Sequence, residues 1–570
     1  AQVIGRCSSE LGRRIGCIEM AKVSSRVWAG AAVGGAAAAA KAYLGRRGSA
    51  TASSSAAGCP EALDAAWLTR ALREGGLLAE GQSVERLELE TLSGEPGDIS
   101  GVGISGSVLL RARLEYAGPG DLASLPCSAV LKLTDLAELS ARNSVSWGRA
   151  MTLGVRALGV HQAQSCPAEH AFFRYLASDG VPGQPWALPA PALYFEHLEA
   201  PTEVPSQAAI AVGGAWTGSA RPVVRSLLIM EDLSARGLAH FDQFDPADAI
   251  GAGRFAESAA LAALAAAARW HAAHWGRRRS AGSLVRAAPL LKVHGLHFRV
   301  LGIMNVGWLA RLKLLLATNA SCPLVGAALL RHRDAKPRGD PEQPQPGQLA
   351  HRPGGWSPHL WSLLGAVLER PGVVAALRGV ERGYGPVLAS RIRERLHSGA
   401  AARRNRTLLH GDLHISNIMY AAFQEEDEDS SKCVDIRMLD FAQAGWGHVT
   451  YELLYLMRFW SEERLAEGAA SRALEAYHAA LAACSPTVQY SMSEFREDWS
   501  LAVVDWATLF LVAASDSAEK VLTNDWQTRQ TARLLLMLEE VAKSDTEVGG
   551  VLRHGGAEPA LPAGRASSDA

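Results

Sequence analysis

The sequence lacks the features that mark several common protein classes. Its eight cysteines are far apart and include no Cys-x-x-Cys pair, which argues against a disulfide framework or a zinc site and suits a reducing compartment. Neither sign of charge is in excess, since 57 lysines and arginines balance 58 aspartates and glutamates. No overall field therefore attracts the chain to nucleic acid or to an acidic membrane, and we find no basic, aromatic-interleaved stretch that would bind nucleic acid.

The N-terminal part lacks both acidic residues and a long apolar run. No Asp or Glu occurs from Met20 to Pro60, where five basic residues are scattered among Ala, Gly and Ser. This composition fits either an organelle transit segment or a disordered extension, and we favour the extension. The uncharged stretch from Val27 to Ala40 is well short of the ~20 apolar residues that a membrane span needs. We expect no transmembrane helix and a cytoplasmic protein, or a plastid or mitochondrial one if residues 20–60 are a transit segment.

At 570 residues the chain exceeds what one hydrophobic core usually fills, which favours several units or a two-lobed enzyme. Alternating residues predict strands over Val84–Leu92 and Val108–Tyr116, and a short apolar run predicts another over Ala129–Leu133. Later segments have apolar stripes at helical spacing. The predicted class is therefore α+β, strand-rich first and helical afterwards. The predicted helices are Ala252–His274, Tyr451–Trp460 and Leu501–Ala514.

Composition also suggests boundaries along the chain. Residues 1–59 are predicted to be low-complexity, with ordered structure beginning near Pro60. Residues 60–233 would form the strand-rich part and residues 234–545 the helical part. Three segments are predicted to lack packed structure. They are the Pro-rich insertion 333–355, the acidic run Gln424–Asp429 and the tail 546–570.

The most informative stretch is a polar loop that runs from His410 to Asn417. An aspartate followed five positions later by an asparagine lets one loop carry a group that orients an attacking hydroxyl and a ligand for a metal ion. These residues are Asp412 and Asn417, and Asp440 at the end of the next apolar run can supply a second ligand. An aspartate and an asparagine at this spacing often occur together by chance, so the pair alone would mean little. Short apolar runs on both sides place the loop between strands, with both acids at strand ends.

A glycine-rich segment precedes the second predicted strand. Gly101, Gly103 and Gly106 would let bare backbone amides approach phosphate oxygens, although a bulged hairpin would use glycine too. A dinucleotide-binding glycine motif should open a helix. Here a strand follows from Val108, which favours a kinase-type loop.

Lys132 lies in an otherwise apolar predicted strand. Such a lysine is either at an exposed edge or has an anionic partner, because burying an unpaired ammonium is costly. Glu169 is a candidate partner, since it shares one predicted helix face with Phe172 and Phe173. A first-turn glutamate that only complements the helix dipole is the alternative. The shared face favours the ion pair.

Taken in chain order, these features resemble the protein-kinase-like fold, and within it the aminoglycoside phosphotransferase and choline kinase group. The chain looks like the ecdysteroid kinase-like (CHK kinase-like) family from roughly residue 60 to residue 542. Besides the glycine segment, Lys132, Glu169 and Asp440, four segments carry the resemblance. They are Leu125-Pro126, Leu228–Leu233, Trp270–Trp275 and His410–His414.

The resemblance implies a two-lobed fold. Residues 60–233 would be an antiparallel-sheet, nucleotide-binding lobe with its hinge, and residues 234–545 a mainly helical lobe with the catalytic loop. It also implies ATP and magnesium as cofactors and a hydroxylated small molecule as phosphate acceptor. The oligomeric state and the identity of the acceptor are not predicted.

The resemblance also implies a role for each site residue. Asp412 would orient the acceptor hydroxyl or accept its proton, while Asn417 and Asp440 would hold magnesium. Lys132 would contact the α- and β-phosphates, with Glu169 holding it in place. Nucleotide contacts would come from Gly101, Gly103 and Gly106 and from the hinge residues Glu231 and Leu233.

Two alternative functions belong to other classes. A protein kinase is disfavoured, because Asp440-Phe441-Ala442 lacks the DFG glycine and a predicted helix begins by Tyr451, which leaves no room for an activation loop. A catalytically inactive nucleotide-binding module that acts by interaction is the second alternative. The joint presence of all the transfer residues speaks against it.

Aromatic residues of the predicted helical part could line an acceptor pocket suited to a cationic or hydrophobic substrate. Core packing is the commoner role of such residues, and we favour it. His271 and His274 suggest a metal site, but without a third ligand nearby we favour helix packing. The aromatic residues are Trp446, Tyr451, Phe459, Trp460, Trp499 and Trp506.

Overall fold

A computed structural model describes most of the predicted strand-rich and helical parts. Three of the segments discussed above lie outside the described residues: the N-terminal extension 1–59, the insertion 333–355 and the acidic run Gln424–Asp429. The described residues are 63–92, 107–135, 166–177, 184, 187–199, 225–242, 245–276, 365–383, 388, 391–421, 435–485, 488–515 and 525–554.

The N-terminal part is a five-stranded sheet in the order β1-β2-β3-β5-β4. All neighbouring strands pair antiparallel. The two strands predicted from alternation and the one predicted from an apolar run are present, each within two residues of its predicted bounds. The strands are β1 (Ser83–Thr91), β2 (Val108–Ala117), β3 (Ser128–Asp135), β4 (Leu193–Glu199) and β5 (Arg225–Glu231).

Helix α1 (Ala65–Glu74) covers one face of this sheet. It begins later than Pro60 suggested, because the side chain of Asp64 accepts a 2.7 Å hydrogen bond from the N–H of Trp67 and caps the first turn. Trp67 and Leu68 are buried in a cluster with the sheet residues. Helix α2 (166–177) comes between β3 and β4 in the chain and buries Phe172 in the second, larger core.

The rest of the described chain is mainly helical, with two small strand groups. Strands β6, β8 and β9 form one group in the order β6-β8-β9, and β7 pairs with β10. Their bounds are β6 (Leu238–Ala239), β7 (Arg406–Leu409), β8 (Ile418–Ala421), β9 (Ile436–Met438) and β10 (Gly445–His448).

The helices of this part surround one continuous core. A further helical turn covers 365–369, and a π-helical segment covers Arg393–Ser398. The numbered helices are α3 (Glu257–His274), α4 (Pro371–Gly383), α5 (Ala400–Arg404), α6 (Val449–Met457), α7 (Glu462–Ala466), α8 (Ala469–Cys484), α9 (Met492–Ser515), α10 (Asp525–Lys543) and α11 (Glu547–His554).

Helix α3 is the centre of this core. Most of its alanines are buried, and because alanine adds little bulk, α8 and β7 can pack closely against the helix. The hydroxyl of Thr407 on β7 donates a 2.8 Å hydrogen bond to the carbonyl oxygen of His271. Helix α3 is thereby tied to the strand that leads into the loop containing Asp412.

The expectation that residues 546–570 form a disordered tail is corrected for residues up to His554. Helix α11 occupies this stretch, with Val548 and Leu552 buried. It packs against α4 and α10. The composition of this tail suggested disorder, yet Gly549 permits a close approach. A Cβ there would lie 2.6 Å from the carbonyl oxygen of Val541.

Within the described part of the chain, none of the helices combines the length and hydropathy that a bilayer-spanning segment requires.

Candidate functional site

Lys132 forms two ion pairs. Strand β3 places it opposite Leu109 of β2 and Leu228 of β5. Its Nζ lies 2.8 Å from Oε1 of Glu169 and 2.9 Å from Oδ1 of Asp440. Burial alone would lower the pKa of Lys132, but the carboxylates of Asp440 and Glu169 raise it above its usual range. The lysine therefore stays charged.

The two carboxylates differ in exposure. Glu169 is buried on α2, and burial raises its pKa even though Lys132 opposes that shift. The side chain of Asp440 is 35% exposed. Burial also opposes its ionisation, but the ion pair with Lys132 lowers the pKa of Asp440 below its usual range. Asp440 is thus an ionised carboxylate that is open to a ligand.

Helix α2 also packs against the residue that follows Asp440. The ring of Phe441 stacks on that of Phe172 at a centroid distance of 4.3 Å and meets Phe173 edge-on at 5.4 Å. Asp440 has a left-handed backbone (φ 59°, ψ 70°), and it is the only non-glycine residue of the described chain with positive φ. The same helix therefore supplies Glu169 and fixes the turn that aims Asp440.

The loop from His410 to Asn417 is held by its own hydrogen bonds. The Nδ2 of Asn417 donates a 2.9 Å bond to the carbonyl oxygen of Asp412. The N–H of Leu439 donates a 2.9 Å bond to the carbonyl oxygen of Asn417, which ties the loop to the residue before Asp440. Since the Nδ2 of Asn417 is engaged, its Oδ1 is the atom left to act as a ligand.

His410 supports this loop as a neutral imidazole. Its Nε2 lies 2.9 Å from the carbonyl oxygen of Leu439, and the N–H of Asp412 donates to its Nδ1 at 3.3 Å. The two contacts require a proton on Nε2 and none on Nδ1. Burial lowers the pKa of His410, which agrees with the neutral ring.

Glu452 holds the backbone of this loop, a role that the sequence did not reveal. Its Oε2 accepts a 2.7 Å hydrogen bond from the N–H of Gly411, and its Oε1 accepts a 3.2 Å bond from the N–H of His410. Burial opposes ionisation, but the contact with His271 and the loop amides lowers its pKa. The available signal was a lone acid in the apolar segment of α6, since such a carboxylate needs a partner when buried.

The predicted hinge follows β5. The N–H of Glu231 donates a 2.9 Å hydrogen bond to the carbonyl oxygen of Ala192, so this donor is already used within the sheet. Leu233 is buried and begins a 3-10 turn, which Asp232 caps by accepting from the N–H of Ser234 at 3.1 Å. Arg111 of β2 fixes Asp232 through a 2.8 Å ion pair.

Of the other predicted candidates, some pack in the protein interior and the rest lie outside the described residues. His271 contacts Tyr477 and Glu452, and His274 contacts Tyr175, so both histidines pack between elements. Of the six aromatic residues, all but the half-buried Trp446 are in the core. Gly101, Gly103 and Gly106 lie outside the described residues. The structure thus brings together Lys132, Glu169 and Asp440. Hydrogen bonds of Leu439, the residue before Asp440, join this group to the loop of Asp412 and Asn417.

Comparison with known proteins bears on this loop. No curated protein matches the chain. A solved structure, that of a microcompartment-associated aminopropanol kinase, aligns with 79% of this chain and 95% of its own at 10% identity and a TM-score of 0.27. That similarity is too low to support a conclusion about fold or substrate. Residues 387–490 match the sequence model of the Ecdysteroid kinase-like family. This segment, which contains Asp412, Asn417 and Asp440, is therefore similar to the ecdysteroid kinase-like family, as its motifs predicted.

Proposed function

We propose that this chain is an ATP- and magnesium-dependent phosphotransferase that acts on a hydroxyl group of a small molecule. One observation carries the proposal. Lys132 lies within 2.9 Å of both Glu169 and Asp440, residues that are 37 and 308 positions away in the chain. This is the arrangement that a kinase uses to hold the phosphates of ATP beside its metal site.

The proposal includes the two lobes. Residues 60–233 would be the nucleotide-binding lobe with its hinge, and residues 234–545 the helical lobe with the catalytic loop. Gly101, Gly103 and Gly106 would cover the phosphates, and the backbone near Leu233 would contact adenine. The antiparallel sheet and the helical core described above support this division.

The residues present fit a magnesium ion. Asp440 offers an ionised, partly exposed carboxylate, and Asn417 offers its Oδ1. Magnesium is usually held by one or two protein carboxylates together with substrate phosphates and water. It therefore does not require three clustered acidic, His or Cys side chains, a grouping that does not occur among the described residues. When bound, the ion would neutralise charge on the β- and γ-phosphates.

The chain's own side chains would then do the following. The carboxylate of Asp412, which is 24% exposed, would orient the acceptor hydroxyl and accept its proton. Lys132 would bind the α- and β-phosphates as a fixed positive charge, and Glu169 would act through Lys132 as a positioning residue. Since the transferred phosphoryl group is largely dissociated at the transition state, positioning and charge neutralisation should matter more than base strength.

Labelled ATP and a panel of sterols, amino alcohols, aminoglycosides and sugars test the proposal. The purified chain should label at least one acceptor, and the reaction should require magnesium. Asp412→Asn should abolish transfer and leave nucleotide affinity intact. Asp545→Asn, a change of an exposed residue, should leave transfer unaltered. Nucleotide binding without transfer to any acceptor would favour the inactive interaction module, and label on protein substrates alone would favour a protein kinase.

A further inference from the structure

Arg458 occupies the aromatic faces next to the catalytic loop. Its guanidinium carbon lies 4.0 Å from the ring centroid of Tyr455, 4.9 Å from that of Phe459 and 5.5 Å from that of Trp506. All three distances are within the range of a cation–π contact. Arg458 itself is buried, so the contact forms away from bulk water.

The backbone of Arg458 is also held. The Nη1 of Arg533 donates a 3.3 Å hydrogen bond to the carbonyl oxygen of Arg458, and the Nε of Arg533 pairs with Oε1 of Glu462 at 3.1 Å. Helix α10 thus fixes the backbone at the C-terminal end of α6, from which the side chain of Arg458 extends. The guanidinium is therefore held against the rings of Tyr455, Phe459 and Trp506.

Arg458 is close to the residue that would meet the acceptor. The ring of His414 lies 6.0 Å from the rings of both Tyr455 and Phe459. The Nε2 of His414 is 3.8 Å from Oδ1 of Asp412. Burial is the main cause of the low pKa of His414, and the positive charge of Arg458 is the next. The field of the guanidinium therefore reaches the immediate neighbour of Asp412.

The aromatic rings near this loop are consequently unsuited to an ammonium group. An aromatic site binds a cation through open ring faces, and here the faces of Tyr455, Phe459 and Trp506 already carry one. A second cation would meet like charge at short range, which is unfavourable in a partly buried site. A neutral or anionic molecule meets no such repulsion from the guanidinium of Arg458.

We infer that Arg458 determines acceptor specificity by excluding cations, so that the phosphorylated hydroxyl belongs to an uncharged or anionic molecule. This inference rests on the proposed phosphotransferase function. It removes choline-like and other amino-alcohol acceptors from the candidate substrates. It also assigns a role to a buried arginine that the transfer chemistry does not use.

The test compares acceptors of equal shape and different charge. Choline and 3,3-dimethylbutan-1-ol differ only in the quaternary nitrogen, and ethanolamine and ethylene glycol form a smaller pair. With the wild-type chain, kcat/KM should be at least about tenfold higher for the neutral member of a pair. Arg458→Met should reduce that ratio to within about threefold, whereas Arg458→Lys should keep it because the charge remains.

Arg496→Gln serves as a matched control, because this arginine is exposed and forms a surface ion pair with Glu475; its ratio should equal that of the wild type. Nucleotide affinity and thermal unfolding report whether each variant is folded. If Arg458→Met does not fold, the wild-type ratio and the Arg458→Lys ratio still decide the question.

The outcomes separate this inference from the function on which it rests. Transfer that favours the cationic member of any pair, or an unchanged ratio in folded Arg458→Met, overturns the inference and leaves the phosphotransferase proposal standing. Absence of transfer to every acceptor, with ATP bound, overturns the phosphotransferase proposal, and the inference falls with it. Transfer to the neutral members alone supports both.

Discussion

The Oε2 of Glu452 accepts a 2.7 Å hydrogen bond from the backbone N–H of Gly411. Gly411 has φ 88°, a conformation that L-residues rarely adopt, and it directly precedes Asp412. A buried carboxylate in the first turn of α6 therefore holds the backbone of the proposed catalytic loop at its positive-φ glycine. In the proposed reaction Glu452 would act through the loop, as a positioning residue.

Glu452→Gln should weaken both the fold and the transfer reaction. The amide keeps one acceptor atom but turns an NH₂ group toward a backbone N–H, so one charge-assisted hydrogen bond is lost in a buried place. We expect the free energy of unfolding to fall by about 1.5–3 kcal/mol. Because Asp412 would be held less firmly, kcat should fall by about 10- to 100-fold with a smaller change in the KM for ATP. Urea unfolding and steady-state kinetics measure the two effects.

The control for this change is Glu463→Gln, which alters an exposed glutamate of α7 and should leave both quantities within error. Glu452→Asp is a useful third variant. Its carboxylate is one methylene shorter, so it should keep the charge yet lose part of the contact with the two amides. Full stability in Glu452→Gln would show that the carboxylate does not support the loop.

A second prediction concerns the coupling between Lys132 and Glu169. Lys132→Met leaves two carboxylates facing one another without their shared cation, so we expect the free energy of unfolding to fall by about 3 kcal/mol. Glu169→Gln still leaves Asp440 as a partner for the lysine and should cost less. Because the two residues are in contact, the double variant should differ from the sum of the single variants by about 0.5–3 kcal/mol. Urea unfolding of all four proteins gives this coupling energy, and additivity would contradict the ion pair.

The sequence predicted the local structure well and the long-range contacts only in part. Alternation identified β1 and β2, because a sheet with one buried face imposes a period of two on its residues. A short apolar run identified β3. The pairing of Lys132 with Glu169 was predicted from the cost of burying a lone charge. The second contact of Lys132, with Asp440, joins residues 308 positions apart, and no local pattern encodes such a distance.

Glu452 of α6 and Arg458, the residue directly after that helix, show the same limit. The periodicity of this segment predicted only an apolar helix. In the structure, Glu452 binds the loop that contains Asp412, and Arg458 contacts the rings of Tyr455 and Trp506. Which partner each polar side chain finds depends on how α6 lies against the loop and α9. That arrangement is set by tertiary packing, which spacing along one helix does not determine.

A third prediction tests helix α11 with two adjacent glycines. A Cβ on Gly549 would lie 2.5 Å from the carbonyl oxygen of Ser544, whereas one on Gly550 would meet no atom within 4 Å. We expect Gly549→Ala to lower the free energy of unfolding by about 1–3 kcal/mol through overpacking. Gly550→Ala should be neutral or stabilise by up to about 1 kcal/mol, since alanine is the better helix residue. Thermal and urea unfolding compare the pair, and equal effects would argue against the close packing of α11.

The last prediction concerns acid sensitivity at His414. Burial, followed by the charge of Arg458, lowers the pKa of this residue to about 3, against about 6.5 in an unfolded chain. Between these values the unfolded state binds one proton more than the folded state. The contribution of His414 to the free energy of unfolding therefore falls as the pH falls, by about 1.4 kcal/mol for each unit well below 6.5.

His414→Phe isolates this contribution. The phenyl ring can pack against Tyr455 and Phe459 as the imidazole does, but it binds no proton. His170, His240 and His410, whose pKa values burial also lowers, are present in both proteins, so their titration cancels in the difference. Urea unfolding at pH 7.5, 6 and 5 should show the wild type losing stability faster than His414→Phe on acidification. Parallel curves would mean that His414 reaches solvent and is protonated in the folded protein, which would contradict its burial beside Asp412.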